Sequence, residues 1–434
     1  MPEPEPCLRD TLRLRLIDRH RPLTGTLDES IDDDAEVRIV EAFVQRLDCS
    51  ALDAKVQSRI GQPGAPAFDP RLLLTLCLYG VIRGIFSFRE LSAACERDRD
   101  FVWLCGGPAP NYHTLSTFFS EHEAFLDGVM TEILAALREQ GLVTYAELTV
   151  DGRKVPANAN KETMHRVGTL TKHHEEAKER VRRLQEERDA KGGDGSRRQA
   201  AKRRAAEDRL GRLDAAVAVL KTRTREREEG RGDPAETRVS ETDADARKMK
   251  MSDGGFRPAF NVQTVTETGS GLIVAVDVVD QACDNGLLES MVDQAEQRTE
   301  MKAKRVLVDA GYMSVEDVEK LEKSGTEVFM PVKNAKKEQE AGRDPYTPKR
   351  RDSRYVAQWR QRMGLETSRE LYKRRAPVAE GAHAQQSNRG FKRIRLRGLE
   401  KTRTESLWHA VAHNFRIMVA KNWLAPGKVR PEAS

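Results

Sequence analysis

The chain has 434 residues, with 74 Lys or Arg and 69 Asp or Glu, so its formal net charge is +5. This length predicts two or three domains, and no apolar stretch approaches the ~20 residues that a transmembrane helix needs. The first ten residues lack a signal-peptide pattern and the six cysteines lack CxxC spacing, so a reduced, cytoplasmic protein is expected rather than a secreted, disulfide-bonded or zinc-ribbon one.

The charge is distributed unevenly along the chain. Residues 343–434 contain 22 basic and eight acidic side chains, a local net charge of +14, whereas residues 1–160 are acidic. Clustered Lys and Arg are typical of proteins that bind a phosphate backbone and release its counterions. The uneven charge therefore predicts a polyanion-binding surface near the C-terminus, although a solvated basic face would look the same.

Residues 1–142 are predicted to form a helical domain. Apolar periodicity and helix-start signals place helices at 34–47, 70–82, from Ser87 onward, at 114–122 and at 125–141. The second of these has Pro70 in its first turn, and the third opens with the capping box Ser87-Phe-Arg-Glu90. The short helices and tight turns could form a helix-turn-helix, but the acidic charge favours simple helical packing.

A strand at 146–151 ends in Asp151, and a charged segment at 161–232 follows it. In that segment apolar residues recur at spacings of three and four on both sides of a glycine-rich turn at 191–195. This pattern predicts an inserted antiparallel helical hairpin.

The remaining sequence reads as alternating strands and helices. Strands are predicted at 259–265, 272–279, 305–308 and 327–332, with helices at 285–298 and 314–323. Residues 334–358 are predicted to be irregular, and the end to be helical at 367–380, with a kink at Pro377, and at 405–423. With the hairpin excised, this order predicts an α/β fold with a mixed sheet, an antiparallel edge and helices on its faces.

Two aspartates follow short apolar strands. Asp151 ends the 146–151 strand and Asp309 follows the 305–308 strand, so their carboxylates would converge if the two strands were neighbours. Carboxylates without nearby thiolates are hard oxygen ligands that suit Mg²⁺ or Mn²⁺. A third carboxylate from a C-terminal helix would complete a site for two ions and in-line displacement at phosphorus. Each aspartate could instead simply begin a turn.

Several segments together resemble the DDE-type insertion-sequence transposases of bacteria. They are FDPRLLLTLCLYGVIRGIFSFRELSAACERDRDFVWLCGG with NYHTLSTFF, TVDGRKVPANANK, SETDADARKMKMSDGGFRPAFNVQTV with GLIVAVDVVDQACDNGLLESM, VLVDAGYMSVEDVEKL, and YKRRAPVAEGAHA with RGFKRIRLRGLEKTRTESLWHAVAHNFRIM. Each fragment alone is weakly specific, but five in the right order are strongly specific. The resemblance implies an RNase-H-like catalytic core and an amino-terminal transposase domain.

The resemblance also implies specific site residues. Asp151, Asp309 and Glu380 would be the three metal-binding carboxylates, with Tyr372 and Arg375 holding a phosphate beside them. Rival carboxylates for the third position are Glu366, Glu370 and Glu400. The chain departs from the family because Ala384-Gln-Gln-Ser387 contains no lysine where the family often has one, which puts phosphate positioning in doubt.

Three further groups of ionisable residues are candidates for binding or structural roles. The basic run beside Glu380 is the best candidate for DNA contacts, and it comprises Arg389, Lys392, Arg393, Arg395, Arg397, Lys401 and Arg403. His409 and His413 are one helical turn apart but lack an HExxH pattern, so packing roles are favoured. Asp277, Asp280 and Asp284 are interpreted as turn and edge residues.

The sequence thus predicts a DNA transposase that uses Mg²⁺ or Mn²⁺, with two ions, to hydrolyse phosphodiesters at element ends and transfer the strand into target DNA. Its partners would be double-stranded DNA, both terminal inverted repeats and target, and further copies of itself as a homodimer or larger assembly. Localisation to the bacterial cytoplasm and nucleoid is expected. The alternatives are an inactive DNA-binding remnant and a metal-dependent nuclease on the same core.

The predicted domain boundaries follow from these segments. They are 1–142 for the helical domain, 143–160 and 233–425 for the catalytic core, 161–232 for the inserted hairpin, and 426–434 for a disordered tail.

Overall fold

The structure is a computed structural model that describes residues 26–58, 66–85, 87–193 and 196–424. The tail predicted at 426–434 lies outside the described residues, as do residues 1–25.

Seven α-helices precede the first strand in the part of the chain that the structure describes. Asp69 caps α3 through its side chain, with Pro70 at the first helical position, and the Ser87 hydroxyl accepts the Glu90 amide at the start of α4. A short helix that the sequence did not predict follows α4 directly, because the Asp98 carboxylate caps it. The helices are α1 (Glu36–Gln45), α2 (Ser50–Asp53), α3 (Pro70–Ile82), α4 (Phe88–Arg97), α5 (Arg99–Cys105), α6 (Tyr112–Ser120) and α7 (Glu123–Glu139).

A six-stranded mixed sheet forms the centre of the molecule. Its strand order is β4-β5-β1-β7-β8, and β6 pairs with the same side of β5 as β4 does, further along that strand. β5 is antiparallel to β1, β4 and β6, whereas β7 is parallel to both β1 and β8. The strands of this sheet are β1 (Glu147–Pro156), β4 (Arg247–Lys250), β5 (Phe256–Glu267), β6 (Ile273–Val279), β7 (Arg305–Val308) and β8 (Glu327–Phe329). Strands β2 (Met164–Arg166) and β3 (Arg238–Ser240) lie outside it. The predicted mixed α/β sheet with an antiparallel edge is confirmed.

A helical hairpin projects from β2 and β3, which pair with each other in a separate two-stranded sheet. It consists of α8 (Val167–Ala190) and α9 (Arg197–Glu229). Its seam is a small apolar cluster of its own, centred on Leu170, Leu213 and Leu220. The short seam explains why both helices are otherwise charged and exposed, since only one narrow stripe of each is buried.

Helices cover the sheet and connect it to the N-terminal helices. They are α10 (Leu288–Thr299), α11 (Val315–Lys323), α12 (Ala335–Glu340), α13 (Arg354–Met363), α14 (Glu366–Tyr372), α15 (Arg375–Asn388) and α16 (Leu399–Ala420). α16 is buried over most of its length and packs against β6 on one side and α3 and α7 on the other. The buried Asn414 amide pairs with both backbone groups of Ile273, which fixes α16 against the start of β6.

The C-terminal region differs from the prediction in two places. Residues 334–358, predicted as irregular, contain α12 and the start of α13, whose Val356, Trp359 and Met363 are buried. The single kinked helix predicted at 367–380 is two helices, α14 and α15, separated at Lys373-Arg374. Pro377 therefore lies in the first turn of α15, where its missing N–H breaks no helical hydrogen bond.

Candidate active site

The pairing of β1 with β7 brings Asp151 and Asp309 together. The parallel register pairs Val150 with Val308, so the next residue on each strand is an aspartate. Asp151 does not end its strand as predicted, because β1 continues to Pro156 against β5. Asp309 caps the turn after β7 and its side chain accepts the Gly311 amide. Strands β1 and β7 are therefore neighbours, which is what the sequence required for the two carboxylates to converge.

One guanidinium lies between the two carboxylates. The Nη2 atom of Arg375 is 2.8 Å from Oδ1 of Asp151 and 3.7 Å from Oδ2 of Asp309. His383, two turns further along α15, places Nε2 3.3 Å from the other Asp151 oxygen. Burial alone would raise the pKa of Asp151, but the His383 and Arg375 contacts outweigh it and hold the pKa below the ordinary value of an aspartate. Asp151 is therefore held ionised.

Tyr372 also belongs to this cluster. Its side chain is half-buried at the end of α14, and burial together with the nearby Asp309 and Asp151 charges raises its pKa, while Arg375 opposes the shift. Tyr372 and Arg375 thus lie beside the two aspartates, on the two sides of the break between α14 and α15. A neutral hydroxyl and a guanidinium beside paired carboxylates can both donate hydrogen bonds to a phosphate.

Glu380 lies on the exposed side of α15. The buried face of that helix is formed by Ala379, Ala382, His383 and Gln386, on the same side as Arg375. At 100° per residue, a side chain one position after Ala379 points well away from that face. In this arrangement Glu380 therefore faces solvent, and its assignment as the third carboxylate stays a prediction.

The rival carboxylates are also exposed. Glu366 pairs with Arg369 and Glu370 with Lys373 on α14, while Glu400 lies in the first turn of α16. In the segment that lacks the family lysine, Gln386 is buried and Ser387 contacts Arg153 of β1. This segment is therefore used to pack α15 against the sheet.

A third carboxylate beside the aspartate pair is Asp284, for which the sequence pattern predicts only a turn or edge position. Its Oδ1 accepts hydrogen bonds from the amides of Asn261 at 2.7 Å and Gln263 at 2.8 Å, both on β5. Its Oδ2 lies 3.5 Å from the point that a Cβ on Gly311 would occupy, and Oδ1 of Asp309 lies 2.7 Å from the same point. Asp284 and Asp309 therefore face one another across Gly311.

Gly152 gives these groups their close approach. A Cβ at this position would lie 2.4 Å from Nε2 of Gln263 and 2.6 Å from Oδ1 of Asp284. The Tyr312 hydroxyl is 3.0 Å away and donates to the Gln263 side-chain oxygen. Burial and the Asp284, Asp151 and Asp309 charges raise the pKa of Tyr312, so its hydroxyl stays neutral. Alternating polar residues on β5 were the available sequence signal for this network, since buried strands seldom carry them.

The residues of the basic run after α15 differ in how far they are exposed to solvent. Lys392, Arg393 and Arg397 are exposed, and the last two also donate to backbone oxygens of residues 157 and 158. Arg395 instead turns inward, where it pairs with the buried carboxylate of Glu405 at 3.0 Å. Arg389 is half-buried. The structure thus gives Arg395 a packing role, while the three exposed cations face solvent.

Lys392 and Arg393 line an open cleft of about 720 Å³. Its other walls include Lys161, Arg257 and Phe256, whose ring is 55% exposed and has the Lys248 ammonium 5.2 Å from its centre. The cleft borders Pro156, five residues along β1 from Asp151, a separation of about 17 Å at ~3.3 Å per residue. A basic cleft with an exposed aromatic ring suits a nucleic-acid strand.

His409 and His413 are packing residues, as the sequence favoured. Both are buried in α16, and burial lowers the pKa of each. The His413 ring contacts the Gly271 carbonyl oxygen at 2.9 Å.

Comparison with protein families adds independent evidence. The model of the transposase DDE domain matches residues 232–415, and that of the transposase domain DUF772 matches residues 25–121. The chain belongs to the DDE transposases of insertion sequences. The RNase-H-like core of this family agrees with the observed sheet, and both domains indicate a role in DNA transposition and in DNA binding. No curated protein and no solved structure matches the chain.

The DDE transposase match contains Asp284, Asp309 and Glu380, whereas Asp151 precedes it. None of the helices among the described residues has the length and apolar character to cross a membrane.

Proposed function

We propose that this transposase cleaves phosphodiesters at the ends of its element and joins the freed 3′ ends to target DNA, with Asp151 and Asp309 at the catalytic centre. The observation that carries the proposal is the β1–β7 register, which places the two carboxylates side by side next to Arg375. Phosphoryl transfer depends mainly on positioning and charge stabilisation, which this cluster provides.

The donor set fits hard divalent cations. The carboxylates of Asp151, Asp309 and Asp284 offer oxygen atoms, and a guanidinium already lies between Asp151 and Asp309. Asp151 and Asp309 would hold Mg²⁺ or Mn²⁺. Two such ions, when bound, supply an activated attacking oxygen and a stabilised leaving oxygen.

For the third carboxylate there are two candidates. The family resemblance assigns it to Glu380, which would have to turn inward from the exposed face of α15. The present geometry favours Asp284, because Oδ1 is fixed by two amides of β5 while Oδ2 faces Gly311 and Asp309. We therefore propose both Glu380 and Asp284 as candidates for the third carboxylate. A comparison of Asp284→Asn with Glu380→Gln distinguishes between them.

The remaining residues would bind and orient DNA. Arg375 has five N–H donors, more than its contacts with Asp151 and Asp309 use, and Tyr372 lies beside it. Both can hold the scissile phosphate. Lys392, Arg393 and Arg397 offer exposed cations for the flanking backbone. Because two element ends must be joined, we further propose that the active form is a homodimer or larger assembly.

A two-step assay tests this function. The purified chain is incubated with DNA that carries the inverted repeats flanking its gene, either intact or pre-cut to expose the 3′ ends, with and without Mg²⁺. A transposase cleaves the first substrate and joins the second to a target plasmid, in both cases only with the ion. Cleavage without joining would identify a nuclease, and salt-sensitive binding without either reaction would identify an inactive remnant.

A further inference from the structure

A second group of metal-ligating side chains lies outside the active site, at the base of the helical hairpin. It consists of His165 on β2, His173 on α8 and Glu241 directly after β3. One ligand atom from each residue lies within 4.8 Å of the other two. The three residues come from three elements, and 68 residues separate His173 from Glu241 along the chain.

The distances are close to those of a coordination sphere. Nδ1 of His173 is 2.9 Å from Oε2 of Glu241, and Nε2 of His165 is 3.7 Å from the same oxygen. The His165 and His173 rings meet edge to face, with centroids 4.8 Å apart. Ligand atoms of a tetrahedral Zn²⁺ site are about 3.3 Å apart, given metal–ligand bonds of ~2.0–2.1 Å. Small side-chain rotations therefore bring all three atoms to a common ion.

The surroundings fix the three side chains without covering them. Their exposed fractions are 19% for His165, 27% for His173 and 25% for Glu241. The Glu241 amide donates to the Thr163 carbonyl oxygen beside the β2–β3 pair. His173 is on the same side of α8 as Leu170 and Ala177, whose side chains are buried in the hairpin seam. Backbone pairing and apolar packing thus hold the ligands in place while leaving an ion access.

We propose that His165, His173 and Glu241 bind a transition-metal ion, Zn²⁺ by its ligand chemistry, that fastens α8 of the hairpin to the β2–β3 pair at its base. Two imidazoles and one carboxylate suit Zn²⁺ and disfavour Mg²⁺ or Ca²⁺, which prefer all-oxygen sites. Three protein ligands leave one tetrahedral position for solvent. The ion links β2, β3 and the second turn of α8, so it sets the direction in which the hairpin leaves the core. This site is independent of the proposed cleavage chemistry.

A Zn²⁺ titration of the full chain tests the proposal. The Asp151→Asn/Asp309→Asn double variant serves as the background, because it removes the carboxylates of the active site, and Mg²⁺ is kept in excess. Competition with a chromophoric chelator should show one bound equivalent of Zn²⁺. Adding His173→Ala or His165→Ala should weaken binding more than about tenfold. Co²⁺ bound in place of Zn²⁺ should show tetrahedral d–d absorption that both substitutions abolish.

His174→Ala is the matched control. It removes the neighbouring histidine of α8, which pairs with Asp214 at 2.6 Å and not with the cluster. Its Zn²⁺ affinity should stay within about twofold of the background. Melting midpoints of the metal-free variants are compared to ensure that lost binding does not reflect unfolding. Zn²⁺ should raise the midpoints of the background and of the His174→Ala control, but not those of the His165→Ala and His173→Ala variants. Absence of a stoichiometric Zn²⁺, or binding that survives both cluster substitutions, would overturn the proposal.

Discussion

The guanidinium of Arg375 is 2.8 Å from Asp151, although 224 residues separate the two in the chain. The same nitrogen is 3.7 Å from Asp309, so a single positive charge offsets two neighbouring carboxylates. Like charges that converge on one site repel each other, and an intervening cation relieves that repulsion. The proposed active site therefore already holds a cationic group between its two aspartates, which is the position that a divalent ion would take.

Removing the guanidinium of Arg375 should destabilise the protein, because the carboxylates of Asp151 and Asp309 then repel each other. Arg375→Ala is expected to lower the free energy of unfolding by about 1–3 kcal/mol at pH 7, and added Mg²⁺ should restore more stability to this variant than to the wild type. Because the folded pKa of Asp151 lies below the ordinary pKa of an aspartate, the wild-type advantage is fully present above that ordinary pKa and disappears as the pH falls through the lower folded pKa. Denaturant-induced unfolding of the wild type and of Arg375→Ala at several pH values measures this difference in stability.

Arg374→Ala is the control for that experiment. Its side chain is 63% exposed and lies 3.8 Å from Glu147, so its loss should cost less than about 0.5 kcal/mol at any pH. An equal response of both variants to Mg²⁺ would contradict a cation site at the aspartate pair.

The third carboxylate can be assigned by comparing two neutral substitutions. If Asp284 is the third ligand, Asp284→Asn should reduce Mg²⁺-dependent cleavage at least about a hundredfold, while Glu380→Gln retains activity because its side chain is exposed. The opposite pattern would mean that α15 rotates when DNA binds. Mn²⁺ affinity of the same variants, measured without DNA, gives a readout independent of turnover.

Gly152 should be intolerant of any side chain. Gly152→Ala places a Cβ 2.4 Å from Gln263 and 2.6 Å from Asp284, so both must shift. We expect a loss of about 1–3 kcal/mol in stability and a larger loss in cleavage rate. Gly128→Ala in α7, where a Cβ would meet nothing within 4 Å, should be neutral or stabilising. Equal cleavage by the two variants would exclude a positioning role for the Gln263–Asp284 network.

The basic cleft should contribute to DNA affinity. Lys392→Ala and Arg393→Ala are each expected to weaken DNA binding. Each should also make the negative slope of log K against log salt shallower by about 0.9 per lost phosphate contact. Lys302→Ala, which removes an exposed cation already paired with Glu296, should leave the slope unchanged. Fluorescence anisotropy at several salt concentrations measures it, and unchanged slopes in all three variants would place the DNA elsewhere.

The aspartate pair was predictable because each residue follows a short apolar run of sequence, and the β1–β7 register brings the two positions side by side. Strands β1, β5, β6, β7 and β8 and most helix starts were predictable for similar local reasons, such as the caps at Asp69 and Ser87, whereas β2, β3 and β4 were not predicted. These signals lie within a few residues of the feature that they specify.

The third ligand was not predictable in the same way. A shift of one residue in a helix turns a side chain by about 100°, so a spacing argument cannot tell whether Glu380 or its neighbour Ala379 faces the sheet. The break after Tyr372 made this harder, since Tyr372 and Glu380 do not share one helix. Asp284 lies in a loop, and only the amides of Asn261 and Gln263 across the sheet bring it to the site.

The most direct test is the rate of Mg²⁺-dependent cleavage of the element-end DNA by the wild type and by Asp309→Asn. This substitution keeps the size of the side chain and removes its negative charge, one of the two that Asp151 and Asp309 carry together. We predict that the wild type cleaves, and that Asp309→Asn binds the DNA with unchanged affinity but cleaves it at least about a thousandfold more slowly. Cleavage at a similar rate by both proteins would contradict the assignment of the active site to Asp151 and Asp309.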